Sequence, residues 1–249
     1  MLEIEAYLKL RNRPQGPHIM YQRWRSLVFL HFACPAAEIQ EKLPSGLTVD
    51  TFPDADGNEM AWIGLVPFRM EGVRPRGLPG LPRLSAFPET NVRTYVHREG
   101  KSPGVWFFSL EAAQPLACQF ARKFFALPYH EAEMSVMDQG DEWEFESRRL
   151  KGDATCTLTA RPHGPTLEAT PGTLEFFLLE RYLLYAYRQG QIYTGLVSHR
   201  PYQFRETEVV RVNETLVKAA GIQERPFIHS LSAAAVDVEI FPLRADHGV

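Results

Sequence analysis

Pro88-Glu89-Thr90-Asn91-Val92-Arg93-Thr94-Tyr95-Val96 and, one turn further on, Val105-Trp106-Phe107-Phe108-Ser109-Leu110 are the segments on which the reading of this 249-residue chain turns. Successive side chains of a strand point to opposite faces, so Glu89, Asn91, Arg93 and Tyr95 fall on one side and Thr90, Val92, Thr94 and Val96 on the other. Alone, that pattern describes an ordinary strand with its polar side in water. The second segment changes the expectation. Trp106 and Phe108 share one face while Val105, Phe107 and Ser109 share the other, so both faces ask for cover. Glu99-Gly100-Lys101 supplies a turn between the two segments. Paired as a hairpin, they carry the polar face of the first strand into the interior. A buried glutamate and arginine must then be paired with each other or meet a ligand. A pocket follows from that pairing.

Working outward, the same double cover is read in residues 25–33, where Leu27, Val28, Phe29, Leu30 and Phe32 are nearly continuous, and in residues 60–70, where Trp62, Val66 and Phe68 alternate with Ile63 and Leu65. Asp54-Ala55-Asp56-Gly57-Asn58 turns the chain ahead of the second of these. Residues 1–20 are polar and broken by Pro14, Gly16 and Pro17, an N-terminal arm or loop. Residues 72–88 are rich in Pro, Gly and Arg, with Arg74, Arg76 and Arg83 forming a local cluster with Arg69 just before them, and read as a long loop of the kind that works as a lid. Leu116, Phe120 and Phe124, joined by Ala117, predict an amphipathic helix over 114–125 that Pro128 stops. Shorter helices are expected after Pro35, over 173–179 with Thr173 or Thr170 as cap, and over 214–220 ahead of Gly221. Glu142, Glu144 and Glu146 alternate with Trp143 and Phe145 in a strand with one face in water. Together with strands around residues 132–137, 154–161, 192–199, 202–212 and 236–241, this gives at least ten strands joined by turns and few helices. The class is α+β, mostly antiparallel β with a barrel-like core, in a single domain over 1–249 with a weak division near Gly152.

Composition is that of an ordinary globular chain, 45% hydrophobic and 23% charged. A net charge of −3 argues against a nucleic-acid partner, which asks for a basic face. Cys34, Cys118 and Cys156 are odd in number, far apart and set among apolar or small residues, so they read as buried free thiols. No apolar run is long enough to span a bilayer and the first residues lack the pattern of a secretory leader, so no membrane partner and a cytoplasmic location are expected.

Candidate chemistry sits at both ends of residues 88–134. Tyr129 and His130 stand between a helix and a strand, where side chains often face a cavity, and both residue types serve in acid–base work. The same spacing fits a Tyr and a His packed at a helix end. His31, His199 and His229 sit among apolar or mixed residues, and no His-x-His or His-x-x-x-His spacing occurs, so no metal is expected. No Gly-rich dinucleotide or phosphate loop, nucleophile elbow or Cys-x-x-Cys is present, and no cofactor is expected. Tyr182, Tyr185 and Tyr187 with Phe176 and Phe177 suit either a flat ligand or a core.

Trp24, Pro44-Ser45-Gly46-Leu47, residues 89–96 and 104–110, Ala121-Arg122, Leu127-Pro128-Tyr129, residues 180–185 and His199-Arg200-Pro201-Tyr202 resemble the YqjF-like family of bacterial proteins, a branch of the acetoacetate decarboxylase-like superfamily. The resemblance covers nearly the whole chain. It implies a β-barrel-containing fold around an internal cavity. In decarboxylases of that superfamily a strand glutamate faces the cavity, and a helix beginning Gly-Arg-Glu leads to a lysine pair, one lysine forming a Schiff base while the other lowers its pKa by charge repulsion. Glu89 corresponds to that glutamate and Ala121-Arg122-Lys123 to the helix start. Tyr129-His130 stands where the lysine pair would be, and neither side chain can form an imine. Lys123, a turn and a half earlier, is a poor substitute.

The expected function is binding of a small carboxylate- or carbonyl-bearing molecule. Glu89, His130 and Tyr129 are the acid–base candidates, and Arg93, Asn91, Tyr95 and Arg122 the ligand-binding ones, with Arg93 gripping an anionic group. A non-catalytic binder that kept the cavity after losing the lysine is the alternative. Self-association stays open.

Overall fold

The computed structural model describes residues 2–81 and 84–246, so Arg83 of the arginine-rich stretch lies outside the described residues. In chain order the elements are α1 (Ile4–Arg11), β1 (Met20–Pro35), α2 (Ala36–Gln40), β2 (Thr48–Val49), β3 (Thr51–Pro53), β4 (Glu59–Pro75), β5 (Phe87–Arg98), β6 (Lys101–Ala112), α3 (Pro115–Phe124), β7 (Tyr129–Asp138), β8 (Trp143–Arg149) and β9 (Thr155–Leu167). They continue as α4 (Leu174–Leu179), β10 (Leu183–Arg188), β11 (Gln191–His199), β12 (Phe204–Glu214), α5 (Leu216–Ala219), β13 (His229–Ile240) and β14 (Arg244–Ala245).

The hairpin through Gly100 is present, with Glu89 opposite Ala112 and Tyr95 opposite Val105. Strand pairing then runs round two circuits that share β13, β1, β4, β5 and β6. One returns through β7, β8, β9 and β12, and the other through β10 and β11. Two pairings, β6 with β7 and β6 with β10, are parallel, while the rest are antiparallel. The middle stretches of β1, β4 and β5 are therefore covered on both faces. From β1, Leu27 and Phe29 enter one buried cluster while Val28 and Leu30 enter a second; from β4, Val66 and Phe68 join the first and Ile63 and Leu65 the second. This accounts for the continuous apolar runs, since a strand with no solvent face needs apolar residues at both parities.

One facing inference required correction. A register shift in the β5–β6 ladder places Val92 opposite Ser109 and Arg93 opposite Phe107, leaving Phe108 as the extra residue of a β-bulge. The bulge resets the alternation, so Phe107 and Leu110 line the first cluster while Phe108 packs against the second.

Three other expectations also changed. The N-terminal arm contains a docked helix: Tyr7 of α1 is buried and its hydroxyl donates to Asp50 at 2.6 Å, and Arg11 pairs with the buried Glu180 at 2.8 Å. The loop over 72–88 is shorter than its composition suggested, because β4 runs to Pro75 opposite Met20 and β5 begins at Phe87. In α3 the Leu116–Phe120–Phe124 stripe faces outward, with Leu116 59% and Phe124 57% exposed, and Cys118 is the residue it buries. Elsewhere the expected local devices hold. Thr173 caps α4 by accepting from the Phe176 amide, and Gly221 ends α5 in the left-handed region at φ 78°. Strands on the two sides of Gly152 belong to one sheet, β8 pairing with β9. Phe176, Phe177, Tyr182 and Tyr185 are core residues, and all three cysteines are free and buried. Among the described residues, no helix is long and apolar enough to cross a membrane.

Candidate functional site

The polar face of β5 opens into a cavity of about 440 Å³ bounded by β1, β4, β6, the start of β7, α3 and the segment after β4. This is the size range of small-molecule sites, and its walls are mostly apolar, with Leu27, Val66, Phe68, Leu110, Leu127 and Val197 among them. Strand periodicity delivers Glu89, Asn91 and Arg93 to one wall, two residues apart. Tyr129 arrives because β7 enters the sheet in parallel with β6, putting Tyr129 beside Leu110. Its hydroxyl donates to Glu89 Oε2 at 2.8 Å.

Glu89 is 2% exposed. Burial pushes its carboxyl up to about 8, with the Tyr129 hydrogen bond pulling down and the charge of Glu111 pushing further up. At neutral pH the carboxyl is mainly the neutral acid, which can donate as well as accept. Burial also lifts the Tyr129 hydroxyl well above the ordinary phenol range, helped by Glu89, so it acts as a donor.

Arg93 is 8% exposed and forms no ion pair among the described residues. Its guanidinium lies 5.7 Å from the Phe29 ring centre and 5.8 Å from that of Tyr95. Arg93 Nε and the neighbouring Asn91 Oδ1 have no hydrogen-bond partner among the described residues. The other buried arginines are treated differently: Arg149 pairs with Glu111, and Arg181 pairs with Asp50 at 2.9 Å. Room for the Arg93 side chain comes from Gly64, its cross-strand partner on β4, where a Cβ would stand 3.4 Å from Arg93 Cγ and 3.2 Å from the Tyr95 hydroxyl. Glu89 and Arg93 share the wall without pairing, so the cavity is not closed by an internal salt bridge.

Of the residues singled out by sequence, Glu89, Asn91, Arg93 and Tyr129 line the cavity together. Tyr95 does not. It is fully buried behind the wall, its ring centre 5.8 Å from the Arg93 guanidinium and 5.0 Å from that of Arg181. His130 points away from Tyr129, as the next residue on a strand must, and burial beside Arg149 and Arg122 lowers its pKa. Arg122 is exposed. It donates to the Tyr129 carbonyl at 3.1 Å and to Glu131 at 3.0 Å, supporting the strand start from outside the cavity. Lys123 stands over the exposed Phe124 ring, and no lysine is among the described lining residues. No group of three potential metal ligands occurs among the described residues. Sequence periodicity missed the apolar mouth, formed by Leu81, Leu84, Leu116 and Phe120, since apolar spacing on a helix ordinarily marks a core-facing stripe. It also missed Trp24 and Tyr202 as wall residues, although both belong to motifs that carried the family resemblance.

The comparisons agree with this geometry at the level of fold. The family model DUF2071, described as "Uncharacterized conserved protein (COG2071)", matches residues 21–237. The chain is 36% identical to the "Uncharacterized protein YqjF" of Bacillus subtilis (strain 168) over 236 residues, 93% of this chain and 94% of that protein. Among solved structures it is similar to the acetoacetate decarboxylase of Legionella pneumophila, with TM-score 0.63, 10% identity, and 94% and 91% of the two chains covered. It is equally similar to the enduracididine biosynthesis enzyme MppR complexed with the condensation product of pyruvate and imidazole 4-carboxaldehyde, with TM-score 0.63, 12% identity, and 92% and 90% covered. At these identities the structural likeness shows an acetoacetate decarboxylase-like fold.

Proposed function

This chain belongs to the DUF2071 family, and on that footing we propose that its cavity binds a small carboxylate- or carbonyl-bearing molecule, with Arg93 as anion anchor and the Glu89–Tyr129 pair as its acid–base element. One observation carries this reading. A guanidinium buried in a cavity wall without an ion pair among the described residues is a charge whose desolvation the protein offsets only through the Phe29 and Tyr95 rings. An anionic ligand offsets it, and the planar fork of arginine favours a carboxylate. The unpartnered Asn91 Oδ1 is an acceptor on the same wall, suited to a hydroxyl or other donor of the ligand and not to its carboxylate. Glu89, held as a neutral acid, can donate a hydrogen bond or a proton to a carbonyl oxygen or an enolate carbon, and Tyr129 steadies the carboxylate left behind. His130 has no part in this, lying on the opposite face of its strand. The ligand is the partner in this reading, within one domain in the cytoplasm.

Thermal shift with a panel of small mono- and 2-oxocarboxylates tests it. The wild type is expected to be stabilised by at least one of them, and Arg93→Ala and Glu89→Gln to lose that response while remaining folded. Equal responses in wild type and both variants sink the reading.

A second reading, a binder without catalysis, is favoured by the absence of a lysine from the described cavity lining. Borohydride reduction in the presence of a 2-oxo acid is expected to leave the protein mass unchanged. A trapped adduct would restore Schiff-base chemistry.

A further inference from the structure

The cavity is strongly divided along its length. Its charged groups, Arg93 and Glu89, are gathered with Asn91 and the adjoining Tyr129 on the β5 wall, and apart from Gln22, Trp24, Gln114 and Tyr202 the remaining walls are apolar. At the mouth the division persists where solvent contact would ordinarily favour polar residues. Leu116 and Phe120 of α3 stand 59% and 43% exposed, and Leu81 and Leu84 of the segment after β4 stand 57% and 39% exposed, all four lining the same cavity as Arg93. Exposed apolar groups gathered at one place ask for an apolar occupant. A ligand of two to four carbons held at Arg93 has no use for such a mouth. We infer that the site takes amphipathic monocarboxylates, an acidic head at Arg93 and an unbranched or aryl-bearing apolar tail running along the wall to the α3 mouth.

This inference rests on the reading of Arg93 as the anion anchor and adds the tail. The geometry gives each part a separate role. Arg93 supplies orientation, because a carboxylate in this cavity has a single cationic partner among the described lining residues. The walls supply affinity, because each methylene moved out of water strengthens binding by about fourfold. Leu116 and Phe120 of the outward stripe of α3, unexplained as core packing, are accounted for as the surface that receives the far end of the tail. The cavity, about 440 Å³, has room for a chain of medium length.

The test is calorimetric titration of the full chain with the straight-chain acids from acetate to decanoate, each below its micellar concentration, and with the matching primary alcohols. Affinity is expected to climb by about fourfold per methylene until the cavity is filled and then to level. Each alcohol is expected to bind at least tenfold more weakly than its acid. Phe120→Asp is expected to lower the affinity for decanoate at least tenfold more than that for butyrate. A flat or falling series, with short acids still binding in an Arg93-dependent way, overturns the tail while leaving the anchor standing. Binding that is unchanged in Arg93→Met, or alcohols that match the acids, overturns the anchor itself and the tail with it.

Discussion

The Tyr129 hydroxyl donates to Glu89 Oε2 at 2.8 Å, tying the first residue of β7 to the polar wall of β5. The contact joins two segments 40 residues apart, and it depends on β7 entering parallel to β6. It places a hydroxyl donor on a carboxyl group that is otherwise desolvated.

Stability should fall as pH rises because of Glu89. Its carboxyl titrates near 4.5 when exposed and near 8 when folded, so between those values the folded chain holds a proton that the unfolded chain has lost. The contribution is intact below pH about 4.5 and is lost progressively as pH rises toward 8. Since a unit of pKa is worth about 1.4 kcal/mol, the effect amounts to a few kcal/mol. Glu89→Gln removes the titrating group, so its melting temperature should decline less than that of the wild type between pH 5 and 8.5. Acid destabilisation should persist in the variant, because the buried His31 and His199 are both held below the ordinary histidine range and resist charging. Parallel alkaline slopes for the two proteins would count against a buried, neutral Glu89.

Arg93 should show the trade between stability and function. Its charge is buried without a partner, so Arg93→Met, close in volume and uncharged, is expected to raise the melting temperature of the free protein by a few degrees while abolishing stabilisation by carboxylates. A variant less stable than wild type would mean that the guanidinium contributes net stability through its contacts with Phe29 and Tyr95.

Part of the cavity wall was legible in the sequence, for a physical reason. The parity of Glu89, Asn91 and Arg93 is a property of one strand, and the apolar parities of β1, β4 and β6 required that strand to be covered. The class, mostly antiparallel β with few short helices, followed from the number of strand-and-turn units. What did not follow were features set by partners distant in sequence. The bulge at Phe108 depends on how β6 meets β5, and the extension of β4 to Pro75 depends on pairing with Met20. The docking of α1 depends on Asp50, and residues 1–20 are locally polar enough to read as an arm. Tyr95 shares parity with Arg93, yet it sits behind the wall because Arg181 and Phe177 pack against it there. Strand parity gives a face, and tertiary packing decides where on that face the cavity ends.

Gly104 should be intolerant of any side chain. It lies in β6 one residue before the parallel pairing with β10, and a Cβ there would come within 2.6 Å of the Leu183 carbonyl oxygen and 2.9 Å of the Tyr185 ring. The nearer atom is backbone and cannot rotate away. Gly104→Ala is expected to cost about 1–3 kcal/mol, the usual range for overpacking, or several degrees in melting temperature. A change within about one degree would mean that β10 can move aside at little cost.

Asp50 should matter more to stability than any surface acid. It sits between β2 and β3, accepts the Tyr7 hydroxyl at 2.6 Å and pairs with Arg181 at 2.9 Å, with all three residues buried. Removing one partner of a buried ion pair leaves the other charge desolvated and unopposed, a loss of about 3–5 kcal/mol. Asp50→Ala should therefore unfold at markedly lower denaturant than wild type. Tyr7→Phe, which removes one hydrogen bond and leaves the ion pair, should cost about 1–2 kcal/mol. The double variant should cost less than the sum of the two, because the tyrosine hydroxyl has lost its acceptor once the carboxylate is gone. Additive losses in a double-mutant cycle would show that Tyr7 and Asp50 act independently and that α1 is held by its other contacts, the Arg11–Glu180 pair among them.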